Sequence, residues 1–261
     1  MRWILLTCAA LMVAGPATPV TAAEASAAIL ATGNNSALRN LKKKITFNYQ
    51  VLGAGFALVQ ARFTIVFNKG AYRASSLIQP RGVGHMIARG RFASTATGRI
   101  LSDGLQPLSY RSAGKTRKKT YNIRLNWSGN SRPRIKATPK LPPPRGRAVQ
   151  RALRPSMHDP LSTLLANTLF QSRRPCSRKR QIFDGRTIWE LRFRYIGLET
   201  LKKGMAGDYI GPAYKCLVKY APVAGQSARI LRLERQRPIP YVPMWLAPVY
   251  VDGATLLVPV K

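Results

Sequence analysis

The segment ALVQARFTIVF, at residues 57–67, determines the fold class, because apolar and polar side chains alternate along it. One face is apolar and carries Ala57, Val59, Ala61, Phe63, Ile65 and Phe67, while Gln60, Arg62 and Thr64 share the other face. A period of two predicts a β-strand with one buried and one solvated face. Asn68-Lys69-Gly70 follows directly and predicts a turn into another strand at residues 72–78.

The same alternation returns along the rest of the chain, in segments separated by turn residues. It is found at residues 45–51, 121–127, 189–195, 214–220 and 230–235. Arginine repeatedly takes the polar positions, where its aliphatic stem covers apolar surface while its charge stays in water. These segments predict a meander of antiparallel strands with one solvated face.

Two segments depart from the strand period and predict helices. Asp159-Pro160 marks a helix start, with Asp as the N-cap and Pro at the first helical position. The leucines that follow at helical spacing extend this helix to about residue 171 and face the sheet; they are Leu161, Leu164, Leu165 and Leu169. Looser apolar spacing predicts a shorter helix at residues 85–95.

Residues 131–155 contain six prolines among arginines and lysines. Such a composition predicts a basic, proline-rich loop or extended linker. Because alternating strands resume after it, the loop is expected to lie inside one domain.

The amino terminus has the layout of a secretory signal peptide. Met1-Arg2 supplies a positive charge, residues 3–13 are apolar, and small residues suited to cleavage follow up to Ala25. The apolar run is too short to span a bilayer, which favours a leader over a membrane helix. The alternative is a buried helix of the mature fold. We therefore expect a leader at residues 1–25, a flexible segment at 26–42, a single β-rich domain at 43–261, and a periplasmic location. Cys8 belongs to the leader and lies too early for lipidation.

Removal of the leader would leave two cysteines, Cys176 and Cys216. An even pair in an exported chain predicts a disulfide, which would close a loop of about 41 residues and contribute roughly 4 kcal/mol. The alternative is a reactive Cys176, because neighbouring cations would lower its thiol pKa and His85 or His158 could act as its base.

Several short motifs follow one another in a characteristic order. They are Asp159-Pro160-Leu161-Ser162, Cys176, Phe183-Asp184-Gly185-Arg186, the strand at 189–195, Tyr214-Lys215-Cys216-Leu217-Val218, Pro222-Val223-Ala224-Gly225 and Val242-Pro243-Met244-Trp245-Leu246-Ala247-Pro248. With the Gly53-Ala54-Gly55 turn, this set resembles the bacterial domain-of-unknown-function 3108 family of exported proteins over residues 43–261. The resemblance implies a mainly β fold, with a curved antiparallel sheet or half-barrel like that of periplasmic lipoprotein carriers and one or two covering helices. It assigns no activity and no catalytic residue.

Catalytic signals are weak throughout the sequence. Asp184-Gly185 predicts a hairpin, Asp159 is explained as a helix cap, and His85 has no carboxylate near it in sequence. The chain contains no nucleophile elbow, phosphate loop or zinc-protease motif. With two histidines and three cysteines a multi-ligand zinc site is not expected either. We expect no catalytic residue, no metal and no cofactor.

The charge is extreme: 43 basic residues stand against nine acidic ones, a formal net charge of +34. Basic runs at 42–44, 115–119, 145–154 and 173–180 predict contact with an anionic lipid or another envelope polyanion. Specific nucleic-acid binding is not expected, because the aromatic residues lie on the predicted core face. Arg145, Arg147, Arg151 and Arg154 in the proline-rich loop are the predicted contact residues. The alternative is a charge that is merely solvated.

Two classes of function remain. The first is a non-enzymatic envelope protein whose concave apolar sheet binds a lipid-like ligand or a partner. The second is an envelope enzyme with an unrecognised site, or a polyanion-binding surface protein. Alternate apolar strand faces without an acid–base constellation favour the first. The sequence leaves the oligomeric state and the ligand open.

Overall fold

The computed structural model describes residues 9–12, 35–53, 56–82, 84–87, 90–116, 119–129, 131–169, 175–176, 179–204 and 209–261. The protein is mainly β, with two antiparallel sheets, one of which is curled into a half-barrel, and short helices. The predicted fold class is therefore confirmed. The division of the strands between two sheets was not predicted.

The first sheet is a meander in which each strand pairs with its neighbour in the chain. Its strands are β1 (Ala9–Met12), β2 (Lys42–Gly53), β3 (Phe56–Asn68), β4 (Ala71–Pro80), β5 (Gly90–Ile100), β6 (Leu105–Thr116), β7 (Thr120–Asn126) and β8 (Arg134–Thr138). The turn between β3 and β4 lies where the sequence placed it, and both Lys69 and Gly70 have positive φ there.

The second sheet has the strand order β13-β12-β11-β10-β9. Its strands are β9 (Arg180–Phe183), β10 (Ile188–Leu201), β11 (Gly211–Ala224), β12 (Val242–Val251) and β13 (Ala254–Pro259). The predicted Asp184-Gly185 hairpin joins β9 to β10. Asp184 Oδ1 accepts hydrogen bonds from the backbone N–H groups of Arg186 and Thr187, at 2.8 and 2.6 Å.

The helices are α1 (Asn35–Asn40), α2 (Gly84–Ile87), α3 (Pro143–Ala152), α4 (Pro160–Leu169) and α5 (Ala228–Gln236). The helix predicted at 85–95 is wrong from Gly90 onward, because these residues pair with β4 and β6 as strand β5; residues 88–89 lie outside the described residues.

The segment at 131–155 is not the extended loop that its composition predicted. It contains β8, which pairs with β7, and then α3. Prolines are compatible with this helix because they occupy its first turn, where backbone N–H groups have no partner in the helix. The first backbone hydrogen bond of the helix runs from Gly146 N to Pro142 O, at 2.9 Å.

Residues 230–235, predicted as a strand, belong to helix α5. Ser227 caps this helix, and its hydroxyl accepts a hydrogen bond from Ile230 N at 3.4 Å. The short apolar pattern of Ile230, Leu231 and Leu233 suits one side of a helix as well as it suits a strand. The apolar residues alone therefore did not distinguish helical spacing from strand spacing, whereas the N-cap residue Ser227 indicates a helix.

Helix α4 lies between the two sheets and contacts strands of both, among them β4, β5 and β13. Leu161, Leu165 and Leu169 are buried, as their spacing predicted, but Leu164, which was predicted on the same face, is 37% exposed. Asp159 is the predicted cap: its Oδ1 accepts from Leu161 N at 3.0 Å and from Ser162 N at 2.9 Å. The helix is thus fixed at its amino terminus and along its leucine face.

Strand β1 falls in the segment predicted to be a leader. Ala9–Met12 pairs with residues 49–52 at the edge of the first sheet. Cleavage near Ala25 would remove this strand and leave β2 at the edge. The predicted flexible segment at 26–42 includes α1, which contributes the buried Leu38 to the core.

Candidate ligand cavity

A cavity of about 370 Å³ lies between the two sheets, with helix α4 forming part of its wall. From the first sheet it is lined by Phe63 and Ile78, and from the second by Leu191, Phe193 and Met244. These residues occupy the apolar positions of their strands, so the alternation that predicted the strands also provides an apolar wall. Leu164 and Ile78, which also line the cavity, are each 37% exposed.

The polar groups on the wall are few. Arg180 Nε donates to Asn167 Oδ1 at 2.6 Å, and both residues line the cavity. Thr163 also lines it, is 1% exposed, and its hydroxyl oxygen has no hydrogen-bond partner within the protein. Because that oxygen is enclosed by protein atoms, a molecule in the cavity does not reach it.

Two ionisable residues at the start of α4 have shifted pKa values in opposite directions. Burial raises the pKa of Asp159 to about 6, because the charged carboxylate is removed from water. Burial and the nearby charge of Arg180 lower the pKa of His158 to about 4. His158 is therefore neutral at pH 7.

Asp159 belongs to a buried hydrogen-bond chain that joins α4 to the first sheet. Ser162 Oγ donates to Asp159 Oδ2 at 2.5 Å, and the Tyr72 hydroxyl lies 2.7 Å from Ser162 Oγ. Asp159 and Ser162 are fully buried, and Tyr72 is 3% exposed. Because a substrate could not reach these groups without unfolding the helix start, the chain of hydrogen bonds has a structural role.

Cys176 and Cys216 form a disulfide with a Cα–Cα distance of 6.1 Å, at the pairing that the sequence predicted. Both cysteines are buried; Cys176 lines the cavity and Cys216 lies on β11. The bond ties the segment before β9 to the second sheet, so it fixes one part of the cavity wall.

The four arginines predicted as anionic contacts do not line the cavity. Arg145, Arg147 and Arg151 lie on α3 and Arg154 follows that helix. Arg145 is half-buried, and its Nε donates to Gly225 O at 2.6 Å. Arg154 Nη1 donates to Arg151 O at 2.8 Å. Helix α3 packs against β11, while Arg147, Arg151 and Arg154 are exposed. Contact of the four arginines with an anionic lipid or polyanion stays a prediction.

Sequence reasoning did not identify the residues that surround the cavity. Their signals were apolar positions at strand or helix spacing, such as Trp189, Leu191 and Phe193 on β10, and such positions do not distinguish a cavity wall from a packed core. Asn167 and Arg180 are separated by 13 positions, and only the fold brings them together. In the described part of the chain no group of three or more His, Cys, Asp or Glu residues could hold a metal ion. None of the described helices is long and apolar enough to cross a membrane.

The fold and the cavity define a class of protein: two antiparallel β-sheets that enclose an apolar space beneath a covering helix. A family model described as "Protein of unknown function (DUF3108)" matches residues 43–253. The chain belongs to this family, as the order of its motifs predicted. Comparison with curated proteins and with solved structures finds no match.

Proposed function

We propose that this is a non-enzymatic, exported protein of the cell envelope that binds one small lipid-like molecule in the cavity between its sheets. The observation that carries the proposal is the cavity itself, with its apolar walls from both sheets. Burial of an apolar ligand there would be favourable in proportion to the apolar surface removed from water.

The size of the cavity supports a single small ligand. Its volume of about 370 Å³ is at the lower end of the roughly 300–1,000 Å³ that ligand sites occupy. One acyl chain or a compact apolar molecule fits that volume better than a lipid with two long chains. Polar groups of the wall, among them the Arg180–Asn167 pair, would fix the orientation of the ligand rather than provide most of its affinity.

Two features support export. The disulfide between Cys176 and Cys216 is of a kind that persists in oxidising compartments. The first 25 residues have the composition of a signal peptide. The location we propose is therefore the periplasm.

The test is displacement of a neutral fluorescent probe, N-phenyl-1-naphthylamine, from the purified chain by dodecanol and dodecanoic acid. The informative variant is Leu191→Trp, because Leu191 lines the cavity and a larger side chain would fill part of it. The matched control is Leu198→Trp on the same strand, where Leu198 is 50% exposed. We expect Leu191→Trp to weaken probe binding at least about tenfold and Leu198→Trp to leave it unchanged.

Equal probe binding by the two variants would contradict a ligand site in this cavity. Circular dichroism and urea unfolding of both variants establish that a loss of binding is not a loss of fold. Absence of probe binding to the wild-type chain, folded and with its disulfide intact, would reject the proposed function altogether.

A further inference from the structure

The charge on the wall of the cavity has one sign. Of the lining residues that the structure describes, Arg180 is the one with a charged side chain, and none carries a carboxylate. Arg180 on β9 is the register partner of Leu191 on β10, so the two side chains lie on the same face of the second sheet, the face toward the cavity. A molecule in the cavity therefore lies against an apolar wall that carries a single positive charge among its described residues.

Helix α4 positions the guanidinium group of Arg180. Its Nε donates to Asn167 Oδ1 at 2.6 Å, and both residues are half-buried. Burial and, after it, the charge of Arg180 lower the pKa of His158 to about 4, so this charge acts on buried groups at the start of α4. A guanidinium group is planar, and its fork of N–H donors matches two oxygens of a carboxylate or a phosphate. Because Asn167 binds Nε, such an oxyanion would meet the two terminal nitrogens.

The sequence around Arg180 adds positive charge. Residues 160–183 contain four arginines and one lysine and no aspartate or glutamate. The acidic residues that flank this stretch, Asp159 and Asp184, accept hydrogen bonds from backbone N–H groups of their own turns. A stretch of one sign attracts anions and repels cations.

The polar groups on the first-sheet side of the cavity are uncharged hydroxyls. Ser94 Oγ donates to Ser112 Oγ at 2.9 Å, and the Tyr110 hydroxyl donates to Ser94 Oγ at 3.4 Å. Burial raises the pKa of Tyr110, so its hydroxyl is neutral at pH 7. The described part of the first-sheet wall therefore provides no charge for an ionic head group, which directs such a group toward Arg180.

We propose that the ligand is a single-chain amphiphile whose head group is an anionic oxyanion, a carboxylate or a phosphate, that pairs with Arg180. This inference rests on the proposed function, because it names the chemical class of the molecule in the same cavity. The alkyl chain would lie against Leu191, Phe193 and Met244. A charge-assisted hydrogen bond in a half-buried site is stronger than a neutral one, whereas a cationic head group would be repelled there.

The experiment is displacement of N-phenyl-1-naphthylamine at pH 8 by four compounds with the same chain: dodecanol, dodecanoate, dodecyl phosphate and dodecylammonium. The variant is Arg180→Gln, which removes the charge and keeps an amide that can donate to Asn167. We expect it to weaken binding of dodecanoate, of dodecyl phosphate or of both at least about tenfold. Dodecanol binding should change less than about threefold, and dodecylammonium should bind more tightly than it does to wild type.

The matched control is Lys179→Gln, which makes the same change in net charge at the adjacent position. Lys179 is exposed and is not among the described residues that line the cavity. It should change binding of all four compounds less than about threefold. Dodecanol binding by Arg180→Gln itself shows that the cavity still forms, so a loss of dodecanoate binding alone is not a loss of fold.

The outcomes separate this inference from the proposed function. A loss confined to dodecanoate or to dodecyl phosphate supports the proposal and identifies the head group. Dodecanol displacement in wild type, with binding of both anions unchanged in Arg180→Gln, would overturn the inference and leave the cavity as a ligand site. Equal losses from Arg180→Gln and Lys179→Gln, or equal losses of all four compounds in Arg180→Gln, would also overturn it. Failure of all four compounds to displace the probe from wild type would reject the proposed function itself.

Discussion

Replacement of Asp159 by Asn isolates the free-energy cost of burying a carboxylate at the start of α4. Asn keeps the side-chain oxygen that accepts from the N–H groups of Leu161 and Ser162, and Asn is as good an N-cap as Asp. Its amide group would donate to Ser162 Oγ, where the carboxylate accepts, and Ser162 would then donate to Tyr72. The substitution therefore removes the charge while the hydrogen-bonded geometry persists.

The pKa of Asp159 gives the size and sign of the effect that Asp159→Asn has on the free energy of unfolding. Burial raises it from 3.8 in the unfolded reference to about 6 in the folded protein. Between these values the folded state binds more protons than the unfolded state, so the stability present below pH 3.8 is lost as pH rises to 6. A shift of about two pKa units corresponds to about 3 kcal/mol. Asp159→Asn should therefore become more stable relative to wild type by about that amount between pH 4 and pH 7.

The neighbouring His158 contributes with the opposite sign. Its pKa falls from 6.5 to about 4 on folding, so the stability it provides above pH 6.5 is lost as pH falls to 4. In the wild type the pH-dependent contributions of Asp159 and His158 to the free energy of unfolding largely cancel between pH 4 and pH 6.5. Asp159→Asn should lose stability on acidification from pH 6.5 to pH 4, and His158→Gln should lose stability as pH rises from 4 to 6.

The assay is urea unfolding of wild type, Asp159→Asn and His158→Gln at several pH values between 4 and 7. Parallel stability curves for wild type and Asp159→Asn would mean that Asp159 has an ordinary pKa in the folded protein. That result would refute the reasoning from burial.

Two further predictions concern covalent structure. Replacing Cys176 or Cys216 by Ser should lower the free energy of unfolding by about 2–5 kcal/mol and weaken probe binding, because Cys176 lines the cavity; free thiols alkylated in the native, unreduced protein would contradict the structural disulfide and restore a reactive Cys176. Amino-terminal sequencing of exported protein should begin between about Ala23 and Ser26; recovery of exported chains that still contain Trp3 would reject the leader and keep β1 in the mature fold.

Much of the fold was predictable, because burial of one sheet face imposes a period of two on β3, β7, β10 and β11. Helix α4 was predictable because a single residue, Asp159, both caps it and precedes a proline. Helix α5 was not, since six residues of mixed apolar and charged character fit both periods and Ser227 was not recognised as a cap. Helix α3 was hidden by prolines that are tolerated in a first turn.

The cavity could not be predicted in the same way. Its walls come from two sheets and α4. No local sequence pattern indicates which apolar faces pack against each other and which leave a cavity between them. Leu191 and Phe193 were recognised as core-facing, yet whether such residues pack tightly or line a cavity depends on contacts with residues more than a hundred positions away, such as Phe63 and Ile78. The disulfide could be predicted from sequence because the expected removal of the leader, with Cys8, would leave Cys176 and Cys216 as the two cysteines of the chain.

The most direct test of the account is native mass spectrometry of the protein purified without detergent from the bacterial envelope fraction in which we propose that it resides. We expect a mass above that of the disulfide-bonded mature chain, corresponding to one bound apolar molecule, and we expect the Leu191→Trp variant purified in parallel to lack it. A wild-type mass equal to that of the chain alone, in protein that also fails to take up dodecanol or dodecanoic acid, would contradict ligand binding in the cavity.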